Sequence, residues 1–435
     1  LSLKHLQSRT LLSIIAFSSV ASVAIGLTQA NARSFKSVEV EGNKLIASQD
    51  ILAACDLKSG VDYSPEDLDA RADCLRSSGV FNSVKLRSQN DALVVDVKEV
   101  EMRPGHIDLS VAYDTQDKVV GSLYFERYNL FPNTFGSLEM NLGKEMQSLR
   151  SSLYYSGLGD GKPGVGMDAL FSRSDYDDQG YASRRAQIEG YLAQDLGEAG
   201  RLEYGLGYRS LKMRDTSDGS STLFQQEESS TSAPYLRFSY KLASASEKGA
   251  SGSAGYQVGI DQYFWGLGDI DTVSETRLNA KARLPLGAKT DLLLGFQGGV
   301  AKGLGGDNTR AVDRFQLGGV SFRGFAPRGL GPKDADYFTG GNKFAVASIE
   351  LQHDLGTVFD TPMRGGAFID VGSLWSLDDT QGGAIDDSFK LRSSIGLSVT
   401  FDIQGAPVSL YVAKAMDKAP GDDTQSFGLS VAARF

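Results

Sequence analysis

Few side chains in this 435-residue chain are combined in a way that could make or break a covalent bond. His353 precedes Asp354, but a base next to an acid along the chain is not a base oriented by an acid in space. The run Gly159-Asp160-Gly161-Lys162-Pro163-Gly164 has the glycine spacing of a phosphate-cradling loop. The residues after it alternate as a strand, and no helix start follows to receive a phosphate, so a hairpin turn is expected there. A GxSxG nucleophile elbow does not occur. Cys55 and Cys74 are the only cysteines, their spacing suits no common zinc motif, and His106 and His353 are far from them in sequence. The residues therefore point away from an enzyme, and no metal, nucleotide or other cofactor is expected.

What the cysteines can do depends on the compartment. Lys4 and Arg9 precede an apolar run from Leu11 to Leu27, and Ala30-Asn31-Ala32 follows as a small-residue cleavage site. That is the build of a secretory signal peptide, so residues 1–32 are expected to be removed. As a membrane anchor the run is short, diluted by serines and without a basic flank. An even cysteine count in an exported chain predicts a disulfide, Cys55 to Cys74. Closing a loop of about twenty residues stabilises the folded state by roughly 3 kcal/mol in the chain-entropy account. The net charge of -10 and pI near 5.0 argue against a nucleic-acid partner.

Residues 33–103 read strand, helix, helix, strand, strand. Val38 and Val40 alternate with acids between Phe35 and Glu41, and Gly42-Asn43 supplies a turn. Ser48 or Gln49 starts a helix carrying Cys55 near its end, and Ser64-Pro65-Glu66 starts a second one carrying Cys74. Val84 to Leu86 and Leu93 to Val97 follow as strands. A domain of this size has a small core, which gives a disulfide between the helices a purpose.

From about residue 104 to 435 the pattern changes. Segments of about ten residues alternate apolar and polar side chains, separated by Gly, Asp, Asn and Ser. A mean hydropathy of -0.21 conceals a membrane address in such a chain, because lipid-facing and lumen-facing residues average out. Arg277, Lys281 and Arg283 share one face of a segment whose other face is apolar, so that face must be wet. About sixteen such segments are expected, an even number that allows an antiparallel transmembrane barrel to close. Closure matters because an open sheet edge in hydrocarbon leaves backbone groups unsatisfied. Gln225, Glu227 and Glu228 fall in a serine-rich polar stretch expected to be a solvated loop. The last segment places Phe427, Leu429, Val431 and Phe435 on one face and ends on the aromatic residue.

One connection is long and unusual. It holds Leu317-Gly318-Gly319-Val320-Ser321-Phe322-Arg323-Gly324-Phe325, which resembles the Arg-Gly-Phe loop of the BamA superfamily of outer-membrane assembly and translocation proteins. The resemblance implies that the loop folds back into the barrel lumen and that Arg323 meets acids on the inner wall. Two acids match. Glu350 lies between Ile349 and Leu351, and Asp370 between Ile369 and Val371, so apolar neighbours on the lipid face leave both carboxylates inward. Val38-Glu39-Val40-Glu41-Gly42-Asn43, Gly60, Tyr63, Leu75, Gly79-Val80-Phe81 and Val97-Lys98-Glu99 look like one polypeptide-transport-associated (POTRA) domain. Glu126-Arg127-Tyr128-Asn129-Leu130-Phe131 with Gly136 is similar to the family's early barrel strands.

The terminal strand resembles the signal read by the outer-membrane assembly machinery. The family implies an outer-membrane location with the N-terminal domain in the periplasm. Its expected partners are unfolded outer-membrane client proteins, outer-membrane lipids and accessory assembly proteins. A protein assembly and insertion factor is the function implied. A dedicated secretion transporter and a passive outer-membrane pore are the alternatives.

Overall fold

The computed structural model describes residues 33–431, apart from 44–45, 47, 78–80, 100–104, 115–117, 132, 157–161, 177, 198, 217–220, 245–253, 269–270, 359–360 and 404–405. The expected signal segment, Gly79, Val80 and Phe435 lie outside the described residues. So do residues 159–161 of the glycine run at 159–164. The chain divides into two compact units on either side of Arg103 and Pro104.

The first unit contains strands β1 (Arg33–Ser34), β2 (Ser37–Glu41) and β3 (Asp62–Tyr63), helices α1 (Ser48–Ala54) and α2 (Pro65–Ser77), and strands β4 (Phe81–Gln89) and β5 (Ala92–Glu99). β5 is central in the order β2-β5-β4, parallel to β2 and antiparallel to β4. Leu93 and Val95 alternate toward a core shared with Ile51, Leu75 and Phe35. The first strand begins two residues later than the alternation suggests, because Phe35 is buried in that core and not paired with β5.

A reciprocal cap starts α2: the Asp67 N–H donates to Ser64 Oγ at 3.1 Å, and the Ser64 N–H donates to Asp67 Oδ2 at 3.0 Å. Hydrogen bonds from Ser64 hold the Asp67 carboxyl below the ordinary carboxylate range. Cys55 falls just past α1, not within it, and is bonded to Cys74 of α2 with Cα atoms 6.0 Å apart.

The second unit is a sixteen-stranded antiparallel sheet. Its first half comprises β6 (Gly105–Asp114), β7 (Lys118–Tyr128), β8 (Thr134–Gly143), β9 (Met146–Tyr155), β10 (Gly164–Asp175), β11 (Ala182–Leu196), β12 (Gly200–Arg214) and β13 (Ser229–Ala243). β14 (Gly255–Trp265), β15 (Val273–Pro285), β16 (Thr290–Gly303), β19 (Lys343–Val358), β20 (Thr361–Trp375), β21 (Arg392–Ile403), β22 (Ala406–Asp417) and β23 (Phe427–Val431) complete it. The connection after β16 carries a small hairpin of β17 (Lys333–Asp334) and β18 (Tyr337–Phe338).

Each barrel strand pairs with its neighbours in chain order, and β16 pairs directly with β19 across that connection. Among the described residues no backbone ladder joins β6 to β23, the two ends of the sheet.

The period-two pattern sets what faces where. On β19, Ile349 and Leu351 are 54% and 46% exposed on the outer surface, while Glu350 between them is buried. β6 to β9 run 10–11 residues, close to the roughly 9–11 needed to cross hydrocarbon, whereas β11 to β13, β19 and β20 run 15–16. The longer strands exceed that length and form part of the wall on which the long connection rests. Two short elements among the described residues depart from the all-strand expectation: helix α3 (Thr222–Glu227), between β12 and β13 and capped by Ser221, and a 3-10 turn at Gly319–Ser321 in the long connection.

Candidate functional site

The connection from 304 to 342 folds into the barrel and packs Phe322 and Phe325, both fully buried, with ring centroids 4.8 Å apart. That pair anchors the loop apolarly and sets Arg323 between two aromatic residues, directed at the wall. Gly324 has φ +93°, and a Cβ there would lie 2.8 Å from Ser394 Cβ, so only glycine lets the turn approach β21 this closely. The backbone carbonyl of Gly324 accepts from the Gln425 N–H at 3.1 Å, and that of Arg323 accepts from Ser394 Oγ at 2.5 Å.

The Arg323 guanidinium is divided between two strands. Its Nε and Nη2 donate to Asp370 Oδ2 and Oδ1 on β20, both at 2.8 Å, a bidentate pairing. Its Nη1 donates to Glu350 Oε2 on β19 at 2.5 Å, and Nη2 also reaches Ser348 Oγ at 3.0 Å.

The other acceptor positions are filled as well. Ser348 Oγ donates to Asp370 Oδ1 at 2.6 Å, while Ser398 Oγ and Gln352 Nε2 donate to Glu350 Oε1 at 2.7 and 2.8 Å. The guanidinium carbon lies 3.3 Å from the centroid of the Phe368 ring. Asp370, Glu350, Ser348, Ser398 and Gln352 are thus all committed to one network around the cation. Removing one member of such a buried set leaves an uncompensated charge, which typically costs about 3–5 kcal/mol.

The base of the same loop is held by a second set. Arg314 makes a bidentate pair with Glu227 of α3, both bonds at 2.7 Å, and Arg314 Nε donates to the Thr339 carbonyl. Asp313 accepts from Arg209 of β12 at 3.1 Å and from Arg310 at 3.0 Å. Burial pushes the Glu227 carboxyl above the ordinary range, against the pull of Arg314. Burial acts the same way on Asp313, but Arg209 and Arg310 outweigh it and hold that carboxyl below the range. The expectation of a solvated Gln225–Glu228 stretch is corrected at Glu227, which is drawn inward by the cation and ends α3 against the loop.

A family model, the Omp85 superfamily domain, matches residues 109–435. The chain belongs to the Omp85 superfamily. The chain is 29% identical over 135 residues to the outer membrane protein assembly factor BamA of Neorickettsia risticii (strain Illinois), a stretch covering 31% of this chain and 18% of that protein. Among solved structures, BamA from Haemophilus ducreyi lacking POTRA domains 1-3 superposes with a TM-score of 0.75 at 17% identity, over 91% of this chain and 84% of that one. CdiB from Acinetobacter baumannii superposes with a TM-score of 0.56 at 14% identity, over 92% and 74%. At these identities the two structures are alike in fold.

As an Omp85 protein the chain resides in the outer membrane with its N-terminal unit in the periplasm. β6 therefore runs outward, strands alternate in direction from there, and the 304–342 loop enters the lumen from the cell-exterior side. Arg323, Glu350 and Asp370 meet at one point, with Gly324 and Phe325 as their immediate support. Phe427 and Leu429 lie in β23, paired with Val412 and Leu410, and Val431 pairs with Val408 at the strand's described end.

Sequence reasoning missed Ser348, Ser394, Ser398, Gln352 and Phe368 around Arg323, and the whole base set. It also missed Arg392, which pairs bidentately with Asp422 at 2.7 and 2.9 Å and ties β21 to the segment before β23. For those on barrel strands the one signal available was parity, since each lies on the lumen-facing side of its strand; Glu227, Arg310, Asp313 and Arg314 lie off the barrel strands and offered no such signal.

Proposed function

We propose that this Omp85 protein is an outer-membrane protein assembly and insertion factor. In this reading residues 33–103 of the mature chain form a periplasmic POTRA domain, residues 104–435 form the barrel, and residues 1–32 are the removed signal peptide. The observation that carries the reading is the Arg323 set, which holds the loop tip against β19, β20 and β21. Its continuation bonds to the segment just before β23 through Ala326 N–H to Asp423 O at 3.0 Å. The loop thereby braces one side of the place where β6 and β23 end the sheet.

A seam whose described residues form no ladder offers backbone donors and acceptors to an incoming client strand. The exposed edge of β2 in the N-terminal unit offers an earlier docking point for an unfolded chain by strand addition. The client's own burial and hydrogen bonding drive insertion, so no covalent step is required. Clients, outer-membrane lipids and accessory assembly proteins are the partners this scheme needs.

The test is reconstitution of the full mature chain into liposomes, following protease protection of an unfolded test barrel. Acceleration by the wild type and its loss in Arg323→Ala support the reading. Ion conductance by both proteins with no acceleration by either would replace it with a passive pore. Export of a soluble passenger across the liposome wall, without barrel insertion, would replace it with a dedicated secretion transporter.

A further inference from the structure

On the outer surface of the barrel, three cations line up across adjacent strands. The register pairs Arg173 of β10 with Arg184 of β11, and Arg184 with Lys212 of β12. Each lies two residues from the cell-exterior end of its strand, which ends at Asp175, starts at Ala182 or ends at Arg214. Their face is the lipid-facing one. Two to four residues nearer the midplane on the same faces stand Phe171, Ile188 and Tyr208, each 49% exposed, while the intervening residues Ser172, Ser174, Ser183 and Arg185 line a cavity inside the barrel.

Like charges directly opposite each other on a sheet repel, and strand spacing of about 4.8 Å keeps them close. Arg173 has a partial counterion in Asp175 at 3.4 Å. Among the described residues neither Arg184 nor Lys212 forms a salt bridge, and Arg184 Nε is buried without a hydrogen-bond partner. Arg214, one step further out on β12, adds a fourth cation beside Asp215. At the same level the flanking strands carry neutral residues, Gln147 on β9 and Ser230 on β13.

We propose that Arg173, Arg184 and Lys212 form a binding site for a phosphate-bearing lipid of the outer leaflet. The cations stand where an apolar, aromatic wall meets the headgroup level, so acyl chains lie against Phe171, Ile188 and Tyr208 while phosphate oxygens accept from the guanidinium and ammonium groups. Arginine pairs bidentately with phosphate, and long cationic stems reach from the apolar wall to the headgroups. The occupant is a membrane lipid and not free phosphate, because the site is continuous with the lipid-facing wall.

The experiment is a binding titration of the full mature chain in neutral detergent micelles. The probes are a bis-phosphorylated disaccharide lipid, its phosphate-free counterpart and inorganic phosphate. Wild type is expected to bind the phosphorylated lipid at least tenfold more tightly than the phosphate-free one, and the preference should shrink as salt is raised. Arg184→Gln with Lys212→Gln should abolish the preference. Lys414→Gln, removing an outward cation of β22 that faces Ile395, should retain it. A heat-modifiability gel shift verifies that each variant is folded. Equal binding of the two lipids, a preference surviving in the folded double variant, or displacement of the lipid by equimolar inorganic phosphate would overturn the proposal.

Discussion

The two ends of the lumenal loop use the same chemistry against different partners. At the tip, Arg323 meets carboxylates on β19 and β20, two strands locked in register, where Ser348 opposes Asp370 directly. At the base, Arg314 meets Glu227 on a six-residue helix in a neighbouring loop, while its neighbours Asp313 and Arg310 reach the wall through Arg209 of β12 and Ser229 and Thr231 of β13. A cation held by a rigid wall has a defined position whatever the exterior loops do. A cation held by another loop moves with it. The tip is therefore built to position the loop in the lumen, and the base to couple that loop to the exterior surface.

The largest expected effect comes from Arg323→Ala, which strands Glu350 and Asp370 together without a cation. Loss of about 3–5 kcal/mol from loop docking is expected, read as new protease cleavage between 317 and 325 and at least a tenfold slower insertion of a test client. Unchanged cleavage and rate would mean the wall does not need the cation. Gly324→Ala comes next: a side chain at positive φ that also meets Ser394 should cost about 1–3 kcal/mol, visible as a lowered heat-modifiability midpoint with the ion set intact.

Glu227→Gln keeps one acceptor for Arg314 and removes the charge. About 1–2 kcal/mol is expected, confined to cleavage in the 215–228 loop and leaving client insertion within twofold of wild type. The smallest effect sharpens the comparison most. Tip and base share no partner, so the double variant Arg323→Ala with Glu227→Gln should lose stability additively to within about 0.5 kcal/mol in a denaturation midpoint series. A larger coupling would show that the loop moves as one body.

How much of this was legible varies with distance along the chain. The disulfide, the capped second helix and the element order of the N-terminal unit follow from local signals, although Cys55 closes the turn after its helix and Phe35 leaves the strand for the core. Glu350 and Asp370 were readable because each is flanked by apolar residues whose parity sends the carboxylate inward. Their shared partner could be named only because the Arg-Gly-Phe loop resembles a known one. Glu227 read as a solvated residue because nothing near it in sequence distinguishes a serine-rich loop that stays in water from one that ends in a helix beneath an arginine 87 residues away.

The sequence by itself determined which side of each strand is wet, since side chains alternate with a period of two and that rule needs no knowledge of neighbours. It also determined the compartment, the disulfide and the approximate strand number. The tertiary structure alone decided which wet residues meet: Arg314 with Glu227, Arg392 with Asp422, and on the outer face Arg173 beside Arg184 beside Lys212. Those meetings depend on the register between strands and on how loops return over the lumen. Each is settled by the sum of many weak contacts along the sixteen-stranded sheet, and no local run of residues encodes that sum.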